Sequence, residues 1–218
     1  MNPRTYTLAV DVGQANDYTA LVILESHGEK DARKHDLVHA ERLREVPYPE
    51  QVRRVAARYV DLRRHAAATE SSVELVVDAT GVGKPILDAF KEARLDPLGV
   101  IITAGDSTSR DGRLYRVPKR ELVTILQVAL QAKRLRIAEG LPLAELLVKE
   151  LRGFRVRITA TGHAKFGNDV GEWREADHDD LVLATALAVW RVESRPQVRM
   201  AFVGSGRRPG LPGFRRLG

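Results

Sequence analysis

The chain of 218 residues contains no cysteine. Disulfides and thiolate metal sites are therefore excluded, and a reducing compartment is the default. No apolar run approaches the ~20 residues that a membrane span needs, so no membrane partner is expected. The N-terminus lacks a basic region followed by an apolar stretch, so no signal peptide is expected, and the expected location is cytoplasmic. There is no internal repeat and no linker in the middle of the chain. Nor is there an excess of one charge over most of its length. The formal charge of +6 sits in residues 191–218, which hold seven arginines and one acid, Glu193, while the other 190 residues balance 28 basic against 28 acidic. A basic tail suits a polyanion such as nucleic acid, and equally suits a solvated tail that aids solubility.

What the chain does have is 44% hydrophobic residues, enough for one full-sized core. The expectation is one domain over residues 1–194 and an irregular basic tail over 195–218, where Pro, Gly and Arg dominate. Strands are expected at 5–12, 18–25 and 36–46, the first two forming a hairpin, although the Leu, Ala and Glu content of 36–46 would also suit a helix. A helix follows at 49–68, then a Val-rich strand ending at Asp78, a short helix at 84–93 and a buried strand at 99–103. Residues 105–116 read as a polar loop. Pro118 starts a helix running to about Lys133. A short strand at 135–137, a helix at 141–151, an alternating strand at 154–161 with a return over 162–169, and a helix at 177–190 complete the pattern. This order implies an α/β fold, a mixed sheet of three antiparallel then two parallel strands flanked by helices.

Three apolar elements end or begin in carboxylates. The strand Thr5-Tyr-Thr-Leu-Ala-Val-Asp11 and the strand Ser72-Val-Glu-Leu-Val-Val-Asp78 each deliver an aspartate at the C-terminal end. Asp17 follows the first turn, and Asp179-Asp180 opens the last strong helix. Any one of them alone is more simply a turn or cap residue. Jointly they fall at the ends of neighbouring elements, and ionised carboxylates that close repel unless a cation joins them. Hard oxygen ligands without cysteine point to Mg²⁺ or Mn²⁺, and two such ions suit hydrolysis of a phosphodiester.

Four motifs in this order carry a resemblance. They are Ala-Val-Asp11-Val-Gly with Asp17-Tyr-Thr-Ala, Val-Val-Asp78-Ala-Thr-Gly-Val-Gly, Val-Pro-Lys119-Arg-Glu-Leu-Val, and His178-Asp179-Asp180-Leu-Val-Leu-Ala-Thr-Ala-Leu-Ala. Over about residues 5–190 the chain resembles the nuclease domain of the large terminase subunit of tailed bacteriophages, within the ribonuclease H-like superfamily. The resemblance implies a ribonuclease H-like sheet and metal-dependent cleavage of double-stranded DNA in genome packaging. It implies metal bound by Asp11, Asp78 and one of the final pair, with Asp17 nearby and the second aspartate, Asp180, favoured as the direct ligand. The packaging ATPase, the small terminase subunit and the portal are the partners it implies, in the host cytoplasm of a phage or prophage product. No ATPase is encoded in this stretch. Gly81-Val-Gly-Lys84 is not its phosphate loop, because the spacing would need glycine at position 78 and a hydroxyl residue at position 85, where Asp78 and Pro85 stand.

Further polar candidates surround these positions. Lys165 in the 162–169 return suits a scissile phosphate or a solvated hairpin, and His178 suits orienting water or phosphate, or simply a helix start. The loop before the 118–133 helix carries Arg110, Arg113 and Arg116, and the helix start adds Lys119 and Arg120, a basic group suited to a DNA backbone at the C-terminal end of a sheet. Trp173 and Trp190 read as core or interface residues. A Holliday-junction resolvase and a silent DNA-binding or assembly module are the competing functions. An actin-like sugar kinase is excluded by length.

Overall fold

A computed structural model describes residues 4–13, 17–29, 32–153 and 179–195. The expected strand at 154–161, its return at 162–169, Lys165, Trp173, His178 and the tail from 196 lie outside the described residues. β1 (Thr5–Asp11), β2 (Tyr18–His27) and β3 (Lys34–Arg44) form the antiparallel part of the sheet. β4 (Ser72–Asp78) lies parallel to the other side of β1, and β5 (Leu98–Thr103) lies parallel to β4. Five successive residues of β1, Tyr6 to Val10, are buried, because β1 is central and covered on both faces.

The two faces are closed by different helices. Leu8, Val10, Val77 and their neighbours pack under α1 (Tyr48–Ala67) and α2 (Lys84–Glu92). Ala9, Val22, Val76 and Val100 pack under α3 (Lys119–Gln131), α4 (Ala144–Gly153) and α5 (Asp180–Glu193). Among the described residues the sheet has eight strands, against the three antiparallel and two parallel strands of the expected sheet. The stretch at 105–116 is not a loop. It holds β6 (Ser109–Asp111) and β7 (Leu114–Pro118), a hairpin turning through Gly112, with β7 parallel to β5. Gly112 has φ +57, as the first central residue of a two-residue hairpin turn prefers. The short strand expected at 135–137 is present as β8 (Leu135–Ile137), and it extends the opposite edge beside β3. α4 starts later than residue 141 because Leu143 has φ +65, which no right-handed helix accommodates.

α5 is nearly apolar all round and is buried accordingly, with only Leu183 of its middle partly exposed. Its alanines let it lie close to β1 and β2. Trp190 is fully buried, meets Tyr115 edge-on at 5.4 Å and donates its indole N–H to Glu121 Oε1 at 2.8 Å. The far end of α5 is held by polar bonds. Arg33 donates to the Val192 carbonyl at 2.9 Å, Arg134 donates to Glu193 at 2.8 Å, and Arg191 makes a two-bond fork to Glu74. His35, wholly buried, donates from Nε2 to Glu193 and accepts the Ser26 hydroxyl at Nδ1, both at 2.8 Å. Burial holds its pKa below the ordinary histidine value, so the ring is neutral. Among the described residues no helix is long and apolar enough to cross a membrane.

Candidate metal centre

Asp11 and Asp78 are register partners at the ends of adjacent parallel strands. Side chains alternate along a strand, so both aspartates fall on the face of Ala9 and Val76, beneath α5. Asp78 is buried, and its Oδ1 accepts the Thr80 N–H at 2.7 Å. The Thr80 hydroxyl in turn accepts the Ile102 N–H at 2.7 Å, which ties this turn to β5. The turn role of Asp78 is thus real, and it fixes the carboxylate in place. The chain after Asp11 is fixed by a buried relay. The Gly13 N–H donates to Thr19 Oγ1 at 2.9 Å, Thr19 donates to Gln51 at 2.8 Å, and Gln51 donates to the Val46 carbonyl at 2.7 Å. A Cβ on Gly13 would lie 2.4 Å from the Tyr18 carbonyl oxygen, so this turn requires glycine. Asp17 lies just before β2, past the strand ends.

The final pair sits at the N-terminus of α5. Asp179 occupies the N-cap position but makes no capping hydrogen bond there. Burial pushes its carboxyl up to about 7, with Asp180 and Glu150 adding to the rise and Lys119 opposing it. Asp180 Oδ2 accepts a 2.7 Å bond from Arg42 of β3. Glu150 of α4 accepts the Val182 N–H at 3.2 Å and lies 3.7 Å from Arg42. Burial also pushes Glu150 up to about 7, against the pull of Val182 and Arg42. Small and apolar residues follow both aspartates along α5, Ala184, Leu187 and Ala188 after Asp180 and Val182 and Ala186 after Asp179, and all are buried, so packing alone does not set the two apart.

Arg42 and Glu150 are functional candidates that the sequence pattern hides. Arg42 looks like a polar position on an edge-like strand, and Glu150 like an exposed helix residue. The available signal was spacing: Arg42 alternates with the buried Ala40, and Glu150 lies three residues after the buried Leu147.

The basic candidates divide. Lys119 comes within electrostatic reach of Asp179. Arg113 is tied to Asp96 at 3.0 Å and to the Asp96 and Pro97 carbonyls. Arg120 is paired with Asp106 at 2.9 Å. Arg116 alternates with the inward Tyr115 and Val117, so it projects from the sheet face opposite the carboxylates. Arg110 lies over the Tyr115 ring at 5.1 Å.

The donors around the strand ends suit a hard divalent cation: carboxylates only, two of them fixed in register, and two more whose burial disfavours ionisation without a positive neighbour. These carboxylates do not close into a tight cluster. Among the described residues the one group of three ligand atoms lying mutually within 4.8 Å is Glu25, His27 and Asp36. That group lies at the other end of β1–β3, where Arg4 holds Glu25 and Arg136 forks onto Asp36.

No protein-family model matches the chain, and no curated protein matches it. Solved structures do. The large terminase nuclease of thermophilic phage G20c aligns over 86% of this chain and 83% of its own, at 20% identity and a TM-score of 0.54. The P22 large terminase nuclease domain covers 89% of each chain at 14% identity and a TM-score of 0.51. A manganese-soaked terminase nuclease domain of human cytomegalovirus covers 86% of this chain and 85% of its own at 11% identity and a TM-score of 0.52. The chain has the ribonuclease H-like fold of terminase large-subunit nuclease domains.

Proposed function

We propose that this chain is a divalent-metal-dependent endonuclease that hydrolyses phosphodiester bonds of double-stranded DNA in phage genome packaging. The observation that carries the reading is the register of Asp11 with Asp78 beneath the Asp179-Asp180 end of α5. The manganese in the cytomegalovirus domain of the same fold supports the choice of cation. Asp11, Asp78 and Asp180 are the residues proposed to hold Mg²⁺ or Mn²⁺, with Asp179 and Asp17 alongside. Such ions supply an activated water and charge stabilisation for the leaving oxygen. The chain's own part is positional. The Thr80 N–H and the Gly13–Thr19–Gln51 relay fix the two strand-end carboxylates, so little reorganisation is left for the reaction. Lys119, beside Asp179, supplies a cation that can meet a phosphate oxygen. Lys165 and His178 are proposed to join it.

The test is cleavage of plasmid and linear duplex with Mn²⁺, with and without chelator. Cutting of duplex that stops with chelator is expected. Cutting confined to four-way junctions would redirect the reading to a resolvase, and no cutting together with no Mn²⁺ binding would leave a silent module.

A further inference from the structure

Arg42 is a cation on a buried sheet face. It stands opposite Ala20 of β2, with its side chain only 10% exposed, beneath the start of α5. Burying a guanidinium is costly unless its charge is used. Two arginines elsewhere brace elements through two-bond forks onto one carboxylate, Arg136–Asp36 and Arg191–Glu74, and Arg134 braces through a single 2.8 Å bond to Glu193. Arg42 is arranged differently. Nη2 bonds Asp180 Oδ2 at 2.7 Å, Nη1 stands 3.7 Å from Glu150 Oε1, and the guanidinium lies 3.7 Å above the Tyr18 ring. Among the described residues Arg42 Nε and Glu150 Oε1 have no hydrogen-bond partner, although the Glu150 side chain is only 3% exposed. One positive group is thus shared between carboxylates of two helices and a ring face. Its charge is divided between these groups rather than committed to one carboxylate.

We infer that Arg42 is a resident counter-cation of the acidic centre, a positioning residue that holds Asp180 and competes with a divalent ion for that carboxylate. The inference rests on the metal-dependent reading above. Asp180 gives one oxygen to Arg42, and an incoming ion meets the repulsion of a permanent charge, since arginine does not deprotonate. Removing that charge deepens the negative potential at the strand ends. Metal binding then tightens even though an ion pair has been lost, which is the opposite of what loss of a structural brace produces.

The experiment is a Mn²⁺ titration at pH 8 by calorimetry, with free Mn²⁺ followed by electron paramagnetic resonance and folding by thermal melting. Arg42→Met is expected to bind Mn²⁺ on the order of tenfold tighter. Arg42→Lys, which keeps the charge, is expected to stay within about threefold of wild type. Unchanged or weaker binding in folded Arg42→Met overturns the inference, and so does tightening in Arg42→Lys equal to that in Arg42→Met. If Arg42→Met does not fold, Glu150→Gln decides. It keeps an acceptor for Val182 and leaves the guanidinium to Asp180 alone, so weaker binding is expected, and equal or tighter binding overturns the inference. A wild-type chain that binds no Mn²⁺ would instead sink the metal-dependent reading itself.

Discussion

Asp11 and Asp78 stand side by side in register, each the last residue of its strand, on adjacent parallel strands of one sheet. Neighbouring strands lie ~4.8 Å apart, so two ionised carboxylates in this relation repel unless a cation intervenes. Asp78→Asn removes one charge and keeps an acceptor for the Thr80 N–H. Cleavage should fall at least about a hundredfold as a ligand is lost, while the melting temperature without metal stays level or rises. Wild-type turnover in this variant would rule out Asp78 as a ligand.

The final pair should separate by opposite effects on stability. Asp180→Ala strands Arg42 without its 2.7 Å partner, and breaking a buried pair costs about 3 kcal/mol. Asp179→Ala removes a carboxyl whose ionisation burial opposes, so the metal-free protein should melt higher. Activity should vanish in the first and slow in the second. Thermal melting with chelator, beside rates across a Mn²⁺ series, checks both. Should Asp179→Ala be dead and Asp180→Ala active, the ligand assignment must be exchanged.

Asp179 and Glu150 have folded-state values of about 7 against ordinary values of 3.8 and 4.5. Between those limits the folded state binds more protons than the unfolded one, so these two groups make stability fall as pH rises from about 4 to about 7. His35 acts in the other direction, since its lowered value takes stability away as pH falls below 6.5. Asp179→Asn isolates the first effect, and its melting temperature should fall less than wild type between pH 5 and 7. Mn²⁺ should also displace protons near pH 6.5 and displace few at pH 8. Calorimetry in buffers of different ionisation enthalpy measures that release, and equal release at both values would count against protonated carboxyls in the centre.

Arg195 pairs with Glu74, which Arg191 also holds, so the basic tail should be cut after residue 195 rather than before it. Residues 196–218 still carry five arginines and no acid. Their removal should leave the melting temperature unchanged and flatten the dependence of DNA binding on salt, because fewer counterions are released. An unchanged slope of log affinity against log salt would show that the tail does not touch DNA.

The strand-end aspartates were legible because an apolar run that stops at a lone acid is an unusual pattern, and β1 and β4 both have it. The β6–β7 hairpin was less legible. Ser109, Arg110 and Asp111 are all exposed on an edge strand, so no hydrophobic alternation marks them. Gly112 was the signal, since glycine suits the first central position of a two-residue hairpin turn, and turn chemistry rather than periodicity would have read it. Arg42 and Glu150 escaped for a different reason. Their role comes from three elements meeting, and neither strand β3 nor helix α4 announces a partner that lies 138 or 32 residues further along the chain.

The polar clamp at the C-terminal end of α5 has a mechanical consequence. The helix is 14 residues long, so its ends are ~20 Å apart, and it is apolar between them. It behaves as a rigid rod bolted at the far end by Glu74, His35 and Arg134, so a tilt there is carried to the tip that Arg42 and Glu150 hold at the strand ends. Loosening a bolt, as by Glu193→Gln, displaces the tip without touching a ligand. The geometry of the proposed cation site is therefore set in part by a histidine and an arginine on the opposite side of the domain.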